Sequence, residues 1–261
     1  MDLDLGIRGR RAIVCGASKG LGKACAMALA KAGVSVTING RHRESLDKVA
    51  EEIKAMTGVD VIVAPADTAT REGRAALMAA GPMPDILVTN SGGPPAGNFS
   101  DWDEEKWEAA IRTNMLAAIM LIRAVLDAMA AKRWGRIINI TSYAVKMPLP
   151  LLSLSNGARS GLTGVVAGLA REVGASGITI NNLLPGPFDT ERLQAYAARL
   201  GQDRNCDSKA VLAEMAASNP TRRIGKPEEF GTWCAILASE HSGYLTGQNL
   251  VLDGGSYPGV L

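Results

Sequence analysis

Histidine and paired cysteine, on which many catalytic and metal sites depend, are scarce in this chain. Its 261 residues include only two histidines, His42 and His241, so a histidine-based catalytic triad or a histidine-rich metal site is not expected. The four cysteines form no CxxC pair and predict neither a disulfide framework nor a zinc site. Isolated cysteines are typical of a reducing compartment, so we expect a cytoplasmic protein that holds no metal.

Long hydrophobic runs and a large excess of one charge are also missing. The longest strongly apolar stretch, Met115–Ile122, lies between Arg112 and Arg123 and is far shorter than the about 20 residues of a membrane span. The first residues are acidic and carry no apolar segment, so we expect no secretory signal. With 28 basic and 26 acidic residues the net charge is +2, and no broad basic field indicates nucleic acid as a partner.

What the sequence does contain is a regular alternation of short β-branched runs and longer segments rich in alanine and leucine. The predicted strands are Arg11–Cys15, Val34–Asn39, Val59–Ala64, Ile86–Asn90, Arg136–Thr141, Ile178–Leu183 and Asn249–Leu252. The predicted helices are Gly20–Ala32, Glu44–Thr57, Arg71–Ala80, Asp103–Lys132, Ser155–Ala175 and Lys226–Ala238. This alternation predicts an α/β fold, a doubly wound parallel sheet of about seven strands in a single domain, residues 1–261.

One segment, about residues 188–220, interrupts the alternation. It is long, mixed in charge and rich in alanine and arginine, and it predicts one or two short helices between the sixth strand and the next helix. Insertions at the carboxyl edge of such a sheet often cover the ligand crevice, so we expect a substrate lid. A solvated excursion without a binding role is the alternative.

A cluster of glycines joins the first predicted strand to the first helix, in the segment Gly16-Ala17-Ser18-Lys19-Gly20-Leu21-Gly22. Glycines at this spacing permit a tight turn, close approach of the backbone to a pyrophosphate, and close packing of the helix on the strand. The start of the helix adds unpaired N–H groups and a positive dipole end. The pattern predicts a Rossmann-type dinucleotide site, and a tight turn without a ligand is the alternative.

The residues after the second strand favour NADP(H) over NAD(H). An NAD-binding site usually has an acidic residue here for the ribose 2′-hydroxyl, but the sequence has Gly40-Arg41-His42-Arg43. Arg41 and Lys19 suit a 2′-phosphate between them, because guanidinium binds phosphate in a bidentate manner. The alternative is that Arg41 and Arg43 belong to a solvated loop.

These motifs, with further segments, resemble the short-chain dehydrogenase/reductase family over nearly the whole chain. Asp67-Thr68 resembles the segment whose acid contacts adenine, and Asn90-Ser91-Gly92-Gly93 resembles the family's Asn-Asn-Ala-Gly segment. Asn114 resembles the asparagine of the catalytic set. Pro185-Gly186-Pro187-Phe188-Asp189-Thr190 resembles the loop that holds the nicotinamide carboxamide, with Thr190 as its hydroxyl partner. Residues 222–229 and 245–255 are similar to the closing stretch of 3-oxoacyl-carrier-protein reductases.

The chain departs from the family at the proton donor. The resemblance implies a serine, a tyrosine thirteen residues later and a lysine four further on, and the lysine lowers the pKa of the phenol. Here the serine is Ser142, but Ser155 and Arg159 stand at the other two positions. An aliphatic hydroxyl is a far weaker acid than a phenol, and arginine stays protonated. Arg159 can still bind the coenzyme ribose and supply positive charge.

The sequence leaves several roles at this site open. Tyr143 and Lys146 follow Ser142, but a continuing strand turns Tyr143 to the opposite face. Lys146 can protonate an oxyanion if burial depresses its pKa, and a solvated loop lysine is the alternative. Ser155 is better explained as a helix N-cap or a packing residue than as an acid. Asn114 has a structural alternative too, as a residue that bends its helix or holds a water.

The expected function is reduction of a ketone or 3-oxoacyl thioester to an alcohol by NADP(H), with Ser142 beside the carbonyl and a proton source other than the usual tyrosine. The alternatives are a dinucleotide-binding sensor or partner subunit without redox turnover, and a dehydratase or epimerase. The resemblance implies a homodimer or homotetramer, paired through the Gly- and Ala-rich helix at Gly157–Ala170. A closely packed monomer is the alternative.

Overall fold

The computed structural model describes residues 4–259, which form a seven-stranded, fully parallel sheet. The strands are β1 (Arg11–Val14), β2 (Ser35–Gly40), β3 (Val61–Pro65), β4 (Ile86–Thr89), β5 (Gly135–Ile140), β6 (Ile178–Pro185) and β7 (Asn249–Leu252). Their order across the sheet is β3-β2-β1-β4-β5-β6-β7. The prediction of a doubly wound parallel sheet is confirmed, and the strand ends lie within two residues of the predicted ones.

Helices cover both faces of the sheet, which explains why the strand cores are almost wholly apolar. They are α1 (Gly20–Lys31), α2 (Arg43–Thr57), α3 (Arg71–Ala79), α4 (Glu104–Ile111), α5 (Ala117–Lys132), α6 (Ser153–Val173), α7 (Glu191–Arg204), α8 (Ser208–Ser218) and α9 (Pro227–Ala238). One core holds residues of α1, α2 and α9, and the other holds residues of α5 and α6. Because both faces are covered, we look for the polar groups of a functional site at the ends of the strands.

The predicted single helix Asp103–Lys132 is interrupted. A π-helical turn, Arg112–Leu116, separates α4 from α5. Such a turn inserts one extra residue into an α-helix and is frequent at functional sites. Asn114 lies in its middle and is buried, so this residue stands where the helix geometry changes.

Helical residues Glu104–Lys132, taken together, are long and apolar enough to cross a membrane by length and composition. In the part of the chain that the structure describes, no other segment meets that test. Leu121, Val125 and Met129 on this segment are buried in the core against the sheet. These side chains pack as those of a core helix do, and a core helix also satisfies the criterion of length and composition for a membrane span.

The segment predicted as an insertion forms two helices, α7 and α8. They share a small apolar core of Ala197, Leu200 and Val211, against which Leu151 packs from the loop before α6. Leu151 has a φ of +62°, a left-handed conformation that costs a non-glycine residue about 1–2 kcal/mol. The start of α7 thus lies at the carboxyl edge of the sheet, beside the loops that follow β4 and β5.

Candidate active site

The glycine turn after β1 packs closely against the start of α1 and against Asn90 at the end of β4. Gly16 has a φ of +59°, and a Cβ on it would lie 2.6 Å from Asn90 Nδ2. A Cβ on Gly22 would lie 2.2 Å from the Gly16 carbonyl oxygen. The Asn90 amide donates to that same oxygen at 3.3 Å. The turn and the end of β4 therefore meet at the point where the strand order reverses, which is where open α/β sheets bind ligands.

The rest of the predicted coenzyme residues lie around this crevice. The first turn of α1 receives no side-chain cap hydrogen bond, so its N–H groups are available to an anion. Lys19, before this turn, is exposed and pairs with Glu191 at the start of α7. Arg41 is exposed at the end of β2.

Asp67 and Thr68 follow β3, where the Asp67 carboxylate accepts a hydrogen bond from Ala69 N at 2.9 Å. Thr68 lines a narrow cavity that also reaches Asn90, Asn114 and Arg159. This cavity joins the predicted adenine end of the crevice to the residues of the catalytic set.

The loop after β6 closes another side of the crevice. Gly186 N donates to Leu252 O at 2.8 Å, which ties the loop to β7. Thr190 caps α7 by accepting from Leu193 N at 3.3 Å. The methyl group of Thr190 lies 3.5 Å from where a Gly20 Cβ would stand, so the predicted nicotinamide loop lies directly across from the glycine turn.

Ser142 stands where β5 ends and a 3-10 turn, Tyr143–Val145, begins. Its hydroxyl oxygen accepts a hydrogen bond from Ala144 N at 3.1 Å, which fixes the rotamer and leaves the hydroxyl hydrogen for another partner. Tyr143 would face away from Ser142 only if the strand continued through it. The strand ends before Tyr143, so that reason for excluding Tyr143 does not apply.

Ser155 and Arg159 lie one turn apart on α6 and contact each other. Arg159 Nε donates to Ser155 Oγ at 3.2 Å. The interpretation of Ser155 as a helix N-cap is wrong, because α6 begins at Ser153 and the Ser155 hydroxyl accepts from Arg159 inside the helix. Ser155 instead positions the guanidinium, as the residues four apart on one helix face allow.

Arg159 is buried and held by four neutral groups. Its Nη1 donates to Ile140 O at 2.8 Å and to Thr141 O at 3.0 Å, and its Nη2 donates to Asn114 Oδ1 at 3.1 Å. Burial lowers the pKa of Arg159 to about 10, and the positive charge of Arg192 adds to the lowering. The guanidinium is therefore charged at neutral pH, and no carboxylate of residues 4–259 pairs with it.

Asn114 connects these groups to the loop after β4. Its Oδ1 accepts from Ser91 Oγ at 3.1 Å as well as from Arg159, and its Nδ2 donates to Ala110 O at 3.3 Å. The π-turn brings this side chain into the cavity. The structure thus brings together Asn114, Ser155 and Arg159, and it adds Ser91, for which the sequence predicted no role beyond its place in the Asn90-Ser91-Gly92-Gly93 segment.

The two other candidate proton donors lie beyond Ser142. Burial raises the pKa of Tyr143 to about 12, and the charges of Tyr196 and Asp253 add to the rise, so this phenol is a weaker acid than in water. The Lys146 ammonium lies 5.5 Å from the centre of the Tyr257 ring. Tyr143 therefore does not reproduce the phenol with a lowered pKa that the family resemblance implies, and Lys146 carries no phenol.

Sequence reasoning missed Arg192. This residue, in the first turn of α7, reaches across to the loop after β4 and donates to the Pro94 carbonyl oxygen. Its guanidinium occupies the space that a side chain on Gly93 would need, since a Cβ there would lie 3.0 Å from Arg192 Nη2. The one signal in the sequence was its position two residues after Thr190, in the predicted nicotinamide loop.

The strand order and the glycine turn define an α/β protein of the Rossmann type, and comparison with known proteins refines this. A family model described as enoyl-(acyl carrier protein) reductase matches residues 16–257. The chain is similar to an acetoacetyl-CoA reductase of Cupriavidus necator, at 32% identity over 96% of this chain and 99% of that protein.

Two further proteins show the same likeness. A 3-oxoacyl-[acyl-carrier-protein] reductase of Pseudomonas aeruginosa is 31% identical over 97% of this chain and 99% of that protein. The solved structure of L-sorbose reductase from Gluconobacter frateurii, complexed with NADPH and L-sorbose, matches with a TM-score of 0.91 and 30% identity, over 99% of this chain and 100% of that one. The chain belongs to the short-chain dehydrogenase/reductase family of oxidoreductases.

Proposed function

We propose that the protein is an NADP(H)-dependent reductase of a ketone or 3-oxoacyl thioester, in which positive charge replaces the usual phenol beside the reacting oxygen. The observation that carries this proposal is the Arg159 guanidinium, which four hydrogen bonds hold near the end of β5 where Ser142 stands. A fixed cation in a buried site stabilises an oxyanion more strongly than water does.

The residues present fit a dinucleotide. A Cβ has no room at Gly16, which lies against the Asn90 side chain, or at Gly22, which lies against the Gly16 carbonyl; glycine at such positions permits the close approach of backbone to a pyrophosphate. The start of α1 would hold the pyrophosphate, Arg41 and Lys19 the 2′-phosphate, Asp67 the adenine side and Thr190 the carboxamide. When bound, NADPH supplies the hydride that adds to the carbonyl carbon and is itself oxidised to NADP⁺.

This chain's own residues then handle the negative charge on the substrate oxygen. The Ser142 hydroxyl donates a hydrogen bond to that oxygen. The positive charge of Arg159 attracts the negative charge on the same oxygen, and this attraction is strong because the site is buried. One proton must reach the oxygen to complete the alcohol. We assign it to Lys146 or to water, because the pKa of Tyr143 is raised and Ser155 accepts from Arg159.

The relatives support a carbonyl acceptor. The acetoacetyl-CoA reductase and the 3-oxoacyl-[acyl-carrier-protein] reductase are named for such substrates, and the L-sorbose reductase was solved with NADPH and L-sorbose.

A carbon–carbon double bond conjugated to a carbonyl is a second candidate acceptor. Hydride addition to it gives an enolate, which is a weaker base than an alkoxide and so depends less on a proton donor at the oxygen. The family model's description as an enoyl reductase agrees with this second candidate.

Coenzyme preference is the first part of the test. Titration with NADPH and NADH should show tighter binding of NADPH, by about 10-fold or more, because two cations face its 2′-phosphate. Arg41→Asp should remove this preference, while Lys48→Asp on the exposed side of α2 should keep it. Tighter binding of NADH to the unaltered protein would contradict the assignment.

Turnover is the second part. NADPH consumption is measured with 3-oxoacyl thioesters, diketones, quinones and enones. We expect oxidation of NADPH with at least one of these acceptors, and product analysis shows whether the C=O or the C=C bond was reduced. Tight binding of NADPH without consumption by any acceptor would instead indicate the sensor or partner-subunit function.

We also propose a cytoplasmic homodimer or homotetramer that binds neither nucleic acid nor membranes. Large apolar side chains on α6 and around the π-turn face solvent, with Ile111 43%, Leu116 41% and Val165 36% exposed. Pairing of these helices between two copies would remove that surface from water. The mass in solution should be that of two or four chains, and a monomer would refute the proposal.

A further inference from the structure

The buried charge of Arg159 is not paired with any carboxylate of residues 4–259. All of its hydrogen bonds go to neutral oxygens, and at 7% exposure the side chain is more than nine-tenths buried. Its second Nη2 hydrogen has no acceptor among residues 4–259. A buried cation without an opposite charge is costly, because desolvation is not repaid by a partner.

Arg192 places a second positive charge close to the first. Within residues 4–259, its one hydrogen bond goes to a backbone carbonyl, Pro94 O, and the missing side chain of Gly93 makes room for its guanidinium. Partial burial lowers the pKa of Arg192, and its charge lowers the pKa of Arg159. The two positive charges therefore repel each other, and Arg192, unlike Arg159, is exposed to solvent.

The nearby carboxylates are occupied elsewhere. Among the ion pairs of the described residues, none includes Arg159 or Arg192. Glu191 pairs with Lys19, and the Asp253 carboxylate accepts from Gly255 N at 2.9 Å and from Tyr257 N at 2.7 Å. No carboxylate among residues 4–259 therefore pairs with either arginine, and both are available to an anionic group of a bound molecule.

The coenzyme phosphates have other donors. The start of α1 offers its N–H groups to the pyrophosphate, and Lys19 and Arg41 lie where a 2′-phosphate would reach. Arg192 lies instead against the loop after β4, which Asn114 also contacts through Ser91. This side of the crevice faces the acceptor, because Ser142 and Arg159 are the groups assigned to its reacting oxygen.

We propose that Arg192, with Arg159 behind it, forms a subsite for a carboxylate, and that the acceptor is an oxo acid rather than a neutral ketone. The proposal rests on the function proposed above and names its substrate class. A guanidinium binds a carboxylate through two parallel hydrogen bonds. Because Arg192 belongs to the first turn of α7 and contacts the loop after β4, the acid would bind between these two segments.

Matched acids and esters test this proposal. The probes are the 2-, 3- and 4-oxo acids 2-oxobutyrate, acetoacetate and levulinate, each beside its methyl ester, and their binding to the NADP⁺-loaded protein is measured by calorimetry. At least one acid should bind about 30-fold or more tightly than its ester. Arg192→Gln should reduce that ratio to near one, and Arg192→Lys should restore part of it.

Arg199→Gln is the matched control, because it removes the same charge from α7 at a site paired with Asp203 and should keep the ratio. Equal binding of acids and esters, or a ratio unchanged by Arg192→Gln, would overturn the proposal. So would weaker NADP⁺ binding in Arg192→Gln with an unchanged ratio, since Arg192 would then serve a coenzyme phosphate. The readout is binding, so a failure of the proposed reductase activity is detected separately by absent NADPH consumption.

Discussion

Arg159→Met is expected to lower kcat for hydride transfer by about 10² to 10³, with little change in the Kd for NADPH. Methionine keeps much of the apolar volume but removes the buried positive charge close to Ser142, so the developing oxyanion loses its stabilisation. The Kd is spared because the glycine turn and Arg41 hold the phosphates. Stopped-flow measurement of NADPH oxidation at saturating acceptor, beside a fluorescence titration of NADPH, separates the two effects.

Ser155→Ala is the control for this variant. It removes one of the four hydrogen bonds of Arg159 but keeps the charge, so we expect a loss of less than about 10-fold. If Ser155→Ala is as damaging as Arg159→Met, the Ser155 hydroxyl takes part in the chemistry and the guanidinium does not stabilise the oxyanion as proposed. Melting temperatures of both variants show how much of each loss comes from unfolding.

The pH profile gives an independent check on the same assignment. Arg159 stays charged below its pKa of about 10, and the phenol of Tyr143, with a pKa of about 12, stays protonated. Neither group titrates between pH 6 and 9, so any inflection of kcat there reports the proton donor, while donation by water gives none. An inflection that disappears in Lys146→Met would identify Lys146 as the proton donor, and one that persists would point to another residue.

Gly22→Ala is expected to raise the Kd for the coenzyme by about 100-fold or more, equivalent to about 3 kcal/mol. Its new Cβ would lie 2.2 Å from the Gly16 carbonyl oxygen and 2.8 Å from Asn90 Nδ2. Neither backbone nor a hydrogen-bonded amide yields easily, so α1 has to move away from the turn. Isothermal titration with NADP⁺ and a thermal melt measure the two consequences.

Gly174→Ala provides the matched control, because a Cβ at Gly174 meets nothing within 4 Å and its φ of −57° suits alanine. It should bind NADP⁺ as the parent protein does and melt at the same or a slightly higher temperature. Unimpaired binding by Gly22→Ala would show that the turn is not the pyrophosphate site.

The parts of this molecule that follow from local sequence were predictable. The alternation of β-branched runs with helical segments predicted the sheet, and the glycine spacing predicted the turn, because both depend on residues close together in the chain. The ends of the strands fell within two residues of expectation.

Features that depend on distant contacts were not predictable in this way. Ser155 was expected to be a helix N-cap or a packing residue, and only the fold shows that Arg159, which donates to it, also reaches Ile140 and Thr141 at the end of β5. The approach of Arg192 to Gly93 joins residues about one hundred positions apart. The π-turn was not predicted because apolar periodicity reports a mean repeat and is insensitive to one additional residue.

That additional residue has a mechanical consequence. Each residue of an α-helix advances the side chains by about 100° around the axis, so the π-turn sets α4 and α5 out of phase with each other. The later half can direct Leu121 and Val125 into the sheet while the earlier half keeps Trp107 over Gly157 of α6, at 3.1 Å from where a Cβ would stand. Shortening the segment by one residue would restore a regular spiral and rotate Trp107 off that glycine. Asn114 would turn with it, and the link between Ser91 and Arg159 would be cut.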